Sequence, residues 1–135
     1  MSSYIPERIR KEVAKRANNR CEYCKLPKLP IQLKHEPDHI ISRKHGGATS
    51  LGNLALACFD CNRHKGTDIA SYDDLTGNLT AFFNPRTKIW TKHFQMQNAE
   101  ISPMTPEARV VAKILQLNEA ERIEQRQMLI ELGIF

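Results

Sequence analysis

The chain has 135 residues, with 41% apolar and 26% charged, the balance of a water-soluble folded protein of one or two small domains. Its longest apolar run is the six residues 54–59, and residues 1–6 contain no apolar stretch, so neither a membrane span nor a secretory signal is expected and the cytoplasm is the expected compartment. Twenty Lys and Arg against fifteen Asp and Glu give a net charge of +5, which favours an anionic partner, most simply nucleic acid.

The charge is uneven. Residues 1–70 carry a net +6 and residues 71–135 a net −1. Any polyanion contact is therefore expected in the first half, which also holds all four cysteines.

Residues 6–18 read as a short helix, with Pro6 at its first position. Ile9, Val13 and Ala17 fall on one face and Asn18-Asn19 end it, while Arg8, Lys11, Lys15 and Arg16 spread over the other faces. Those cations either lie on a phosphate backbone or form a solvated face. Residues 25–34, with Pro27 and Pro30, read as a loop. Residues 35–41 read as a strand confined to a sheet edge by Pro37. A loop over 42–50 with Gly46-Gly47 leads to a second strand at 53–57, with Leu54 and Leu56 on one face. Residues 62–69 read as a helix started by Asn62 and weakened at Gly66.

Residues 71–80 are polar and read as a linker. Residues 81–83 and 88–90 flank Asn84-Pro85, which predicts a β-hairpin, and a further strand carries Trp90, Phe94 and Met96 on one side. Trp90, Phe82, Phe83 and Phe94 are expected to form a small core rather than a base-stacking platform, and His93 to lie at the surface. Thr105-Pro106 opens a helix whose apolar face includes Val110, Val111, Ile114, Leu115 and Leu117. Asn118 with Glu121 starts a last helix that Gly133 ends, with Ile123, Leu129, Ile130 and Leu132 inward.

The cysteines fall as Cys21-Glu-Tyr-Cys24 and Cys58-Phe-Asp-Cys61, with 33 residues between the pairs. Two such pairs supply four thiolates for a tetrahedral Zn²⁺ with no open position, hence a structural rather than catalytic ion. Disulfides fit a reducing compartment poorly, and a redox pair needs only one such motif, set in a βαβ pattern that this chain lacks.

Between the pairs lie Asp38-His39-Ile40-Ile41, Gly46-Gly47 and Asn53-Leu54, and Asn62-Arg63-His64-Lys65 follows the last cysteine. This order of motifs resembles the HNH endonuclease family over about residues 21–65. The resemblance implies a ββα-metal fold of the α+β class, treble-clef-like and stapled by the four-cysteine zinc, and metal-dependent cleavage of nucleic acid phosphodiesters. It implies His39 as general base, Asp38 and Asn62 as ligands of a catalytic Mg²⁺ or Mn²⁺, and Asn53 as the residue that ties the loop and orients the base strand. Cleavage would leave a 5′-phosphate and a 3′-hydroxyl. The residue types agree with that chemistry, since a histidine near its ordinary pKa of about 6.5 suits proton abstraction and oxygen ligands suit Mg²⁺.

Arg43, Lys44, Arg63 and Lys65 are expected phosphate contacts, with His45 a weaker one. His64 is expected off the metal and His35 at the strand edge. Asn62 stands where many relatives carry a third histidine, and Pro37 where an aliphatic residue is common. The expected organisation is thus a nuclease core over 1–70, a linker over 71–80 and an accessory hairpin with two helices over 81–135. The protein is expected to act on nucleic acid, DNA first, as a monomer or weak homodimer with little sequence preference. Two alternatives are a zinc-stabilised nucleic-acid-binding module without catalysis and a protein-interaction zinc domain, of which the second explains neither the basic excess nor the Asp38, His39 and Asn62 set.

Overall fold

A computed structural model describes residues 4–30 and 34–135, and residues 31–33 of the expected 25–34 loop, like residues 1–3, lie outside them. Helix α1 (Glu7–Arg16) begins one residue later than expected: Pro6 is its N-cap, not its first helical residue, and its carbonyl accepts from the Ile9 and Arg10 amides. Asn18 and Asn19 end α1 in the left-handed region (φ 54° and 56°), a conformation asparagine tolerates better than most residues. Val13 packs with Ile5, Leu54 and Leu56 in a buried cluster flanked by Ile9, Ala14 and Ala17. Two of the basic residues of α1 have structural work. Arg10 pairs with Glu36 at 2.7 Å, and Arg16 donates to the Leu51 and Leu54 carbonyls.

Strands β1 (Glu36–His39) and β2 (Leu54–Ala57) pair antiparallel, with Asp38 opposite Ala55 and His39 opposite Leu54. With only two strands, Pro37 lies on an outer edge, where a missing amide donor costs no ladder bond. The connection between them is long for a hairpin and holds itself. Asn53 accepts from the Ile41 amide and donates to the Ile41 and Ala48 carbonyls at 2.8 Å each. A Cβ on Gly47 would stand 1.7 Å from the Ile41 carbonyl oxygen, so no side chain fits there.

Helix α2 (Phe59–Lys65) starts and ends earlier than the expected 62–69. Cys58 is its N-cap and Gly66, at positive φ (52°), its C-cap, so Asn62 lies one turn inside the helix instead of starting it. Together α1, β1, β2 and α2 form a unit that ends at Ile69.

A second unit starts at Ala70. The expected linker is instead a hairpin, β3 (Ala70–Tyr72) with β4 (Leu79–Ala81). Its turn is organised by buried Asp73, which accepts from the Leu75 and Thr76 amides, the Thr76 hydroxyl and, two-pronged, Arg109 at 2.8 and 2.9 Å. The Arg109 guanidinium holds the Asp73 carboxyl well below the usual range.

The hairpin expected around Asn84-Pro85 does not form. Asn84 does make the turn, but the Phe83 amide bonds the Glu107 carbonyl rather than a facing strand. The second ladder is β5 (Phe94–Gln97) with β6 (Glu100–Pro103). Phe83, Trp90 and Phe94 do cluster, with ring centroids 5.1–5.2 Å apart. His93 is half-buried: it packs on Phe83 at 5.2 Å and bonds the Thr105 hydroxyl at 2.6 Å.

Helix α3 (Pro106–Ile114) has Thr105 as N-cap and Pro106 in its first turn, as expected, and buries Ala108, Val110 and Val111. Helix α4 (Ala120–Glu131) has Glu119, not Asn118, at its N-cap. Asn118 instead grips the backbone of Ile101 with both ends of its amide. The buried face of α4 is Arg122, Arg126 and Leu129, whereas Ile130 and Leu132 are 39% and 64% exposed, which corrects the expectation that they turn inward. The two guanidiniums donate to the carbonyls of Leu115, Gln116 and Leu117, which follow α3, and to Ala99. Among the described residues the chain is thus α+β, with four α-helices and three two-stranded antiparallel sheets, and no helix is long and apolar enough to cross a membrane.

Candidate functional site

Cys21, Cys24, Cys58 and Cys61 are all buried, and their sulfurs lie within 4.8 Å of one another. Two sulfurs on one tetrahedral zinc, with bonds of about 2.3 Å, stand about 3.8 Å apart. The Cys24 and Cys58 sulfurs are 3.6 Å apart, too far for a disulfide and right for a shared ion. The Cys24 and Cys61 amides donate to the Cys21 and Cys58 sulfurs at 3.4 Å, which favours thiolates. Burial pushes the thiols of Cys21 and Cys61 well up, so a cation at the centre is needed to ionise them. The four cysteines fit a structural Zn²⁺. Its two halves bracket the sheet, since Glu22 bonds Leu56 through both its amide and its carboxylate while Cys58 leads directly from β2 into α2.

Beside this centre lies a cavity of about 550 Å³ whose lining includes Asp38, His39, Asn62, Arg43, Lys44 and Arg10. The alternation of β1 sends Asp38 and His39 to opposite faces, and their surroundings differ accordingly. His39 is partly exposed, and its Nε2 shares a 2.8 Å hydrogen bond with Thr49 Oγ1, to which Arg43 also donates at 3.1 Å. With Nε2 carrying the proton toward Thr49, Nδ1 keeps the lone pair a general base needs. Burial first, then the Arg43 and Lys65 charges, push the His39 pKa down, which keeps the ring neutral.

Asp38 is 6% exposed. Its Oδ2 accepts from Lys65 Nζ at 3.0 Å and from the Tyr23 hydroxyl at 3.2 Å. Both bonds fall on one oxygen, and Oδ1 has no partner among the described residues. Burial raises the Asp38 carboxyl, against the pull of Lys65 and Tyr23, while Tyr23, raised well up by burial and by Asp38, stays a donor. The Asn62 amide is half-buried and has no hydrogen-bond partner among the described residues. A carboxylate oxygen and an amide oxygen are thus left for one ligand in one cavity, a donor set that suits a hard divalent cation keeping most of its waters.

The expected phosphate contacts divide. Arg43 and Lys44 line the cavity. Arg63 does not, since it lies over the Phe59 ring and 3.5 Å from Asp60. Lys65 is 2% exposed, and its ammonium is spent on Asp38 and on the His39 carbonyl at 2.9 Å, so it is a strut between α2 and β1 rather than a surface cation. His64 contacts Arg63, His45 is exposed on the loop, and His35 bonds the Leu26 carbonyl; none of the three lines the cavity. Asn53 is the tie described above. Thr49, Tyr23 and Arg10 belong to the site without any motif to mark them.

The Lys65 strut is testable. Breaking a buried pair by removing one partner costs about 3–5 kcal/mol. Lys65→Met should therefore lower the urea midpoint of the zinc-loaded protein by that equivalent. A loss of nucleic acid affinity at unchanged stability would show a surface role instead.

The comparison with known families adds one match, to the family model described as HNH endonuclease. The match covers residues 21–68. No curated protein and no solved structure matches the chain. The matched segment begins at Cys21 and ends just beyond α2, so it takes in the four cysteines, Asp38, His39, Asn53 and Asn62.

Proposed function

We propose that the first unit is a metal-dependent endonuclease that hydrolyses nucleic acid phosphodiesters, DNA first among them. The observation that carries this reading is the single cavity shared by His39, Asp38, Asn62 and the cations Arg43 and Lys44, inside the HNH segment. His39 takes a proton at Nδ1 from a water, and the hydroxide attacks the phosphorus. With Thr49 Oγ1 accepting from Nε2, Nδ1 is the nitrogen left to act as the base. Arg43 and Lys44 seat the phosphate oxygens. Asp38 Oδ1 and Asn62 would hold Mg²⁺ or Mn²⁺, which when bound supplies counter-charge to the transition state and to the leaving 3′-oxygen. The attacked phosphorus keeps the water oxygen as a 5′-phosphate, the P–O3′ bond breaks, and the leaving 3′-oxygen takes a proton from solvent water to become a hydroxyl.

A supercoiled plasmid is the first substrate to test. The zinc-loaded protein should nick it when Mg²⁺ or Mn²⁺ is added and not when those ions are withheld. Salt-sensitive retention of the plasmid with no cleavage under any divalent ion would instead identify a binding module.

A further inference from the structure

A second cavity, of about 180 Å³, adjoins the first and shares Arg10, Glu36 and Pro37 with it. Lys11 from α1 and Lys28 and Lys34 from the loop before β1 line it, all exposed and none with an ion-pair partner among the described residues. Of the two acids in its wall, Glu36 is already paired with Arg10, which leaves Glu7 against three lysines.

His35 closes the floor. It is 8% exposed, and its Nε2 is fixed as a donor by the Leu26 carbonyl at 2.9 Å. Its Nδ1 is buried and has no partner. A buried ring nitrogen without a partner is costly, and its presence in a cation-lined hollow marks a place for a ligand. An anion with several oxygens bonds the lysines, and a water held between it and the ring donates one hydrogen to the anion and the other to Nδ1.

We propose that this hollow is a phosphate subsite for the nucleic acid strand whose scissile bond lies in the cleft, the strand crossing the edge of β1 at Glu36 and Pro37. The inference rests on the nuclease reading in taking nucleic acid as the partner. His35 and His39 are four residues apart on an extended segment, about 13 Å, within reach of a few nucleotides of one strand. The same α1 face that the sequence left open between phosphate contact and solvation thus gains a specific anchor, Lys11.

The test uses the full zinc-loaded chain with Lys11→Gln, Lys28→Gln and Lys34→Gln combined. A control of the same kind combines Lys88→Gln and Lys92→Gln, two exposed lysines of the second unit. Anisotropy of a labelled duplex, followed from about 50 to 200 mM salt, should show roughly tenfold weaker binding by the triple variant and a salt slope smaller by about 2–3, with the control unchanged. Hydrolysis of bis(p-nitrophenyl) phosphate, small enough to occupy the cleft alone, should be the same in all three proteins. Equal affinity and slope in the triple variant and wild type overturn the subsite while leaving the nuclease in place. If the wild type binds DNA but hydrolyses neither substrate, the nuclease reading falls and the slope alone decides the subsite. A wild type that does not bind DNA overturns both.

Discussion

Replacing His39 with alanine should lower metal-dependent plasmid cleavage by about 10²–10⁴-fold, the usual contribution of a positioned general base. Zinc content and melting should not change, because the ring is partly exposed and its one side-chain hydrogen bond goes to Thr49. Equal cleavage by the variant would remove His39 from the mechanism.

The direction of its pKa adds a pH signature. A base acts when deprotonated, so the rate rises with pH through its pKa and then levels. Burial, Arg43 and Lys65 push that pKa below the ordinary value, so the rising limb should lie below about pH 6.5 and neutral pH should already be on the plateau. A cation bound beside the ring pushes the same way. Arg43→Gln, which removes one of the two positive neighbours, should move the limb to higher pH.

Removing the zinc should unfold the first unit. The hydrophobic cluster of that unit is small, with Ile5, Val13, Leu54 and Leu56 as its buried members. Structural zinc sites bind with about 10–16 kcal/mol, comparable with or above the whole stability of a typical domain. Cys58→Ala should act most severely, since it removes both a sulfur donor and the N-cap side chain of α2. The expected result is loss of hydrogen-exchange protection across β1, β2 and α2, together with loss of the one zinc per chain measured by elemental analysis. Retention of protection in the metal-free protein would show that the apolar cluster suffices.

The parts of the first unit that were legible in the sequence are those where chemistry constrains spacing. Two residues between cysteines define a turn, and Asn18-Asn19 mark a helix end by their tolerance of positive φ, whereas Gly66 read as a weak point within a helix and is instead its end. The fate of Lys65 was not legible. A lysine one turn beyond a zinc ligand looks like a surface cation, and only the packing of α2 against β1 brings its ammonium to Asp38.

In the second unit the hydrophobic pattern misled twice. The β3–β4 hairpin has exposed Tyr72 and Leu79 and draws its order from the polar side chain of Asp73, so residues 71–80 carry the composition of a linker. Helix α4 buries arginines because backbone carbonyls, rather than apolar side chains, wait beneath it, a demand that has no periodicity to read. Asn84-Pro85 specified a turn correctly but said nothing about whether the flanking segments would pair with each other.

The loop between β1 and β2 separates two tasks that many enzymes load onto the same residues. Ile41, Gly47, Ala48 and Asn53 close a frame through the main chain and one amide. Lys44 and His45 hang outside it, exposed. Natural variation or directed evolution can therefore rewrite the outer arc, and with it the preference for one nucleic acid shape over another, while the frame keeps the strand that carries His39 in register.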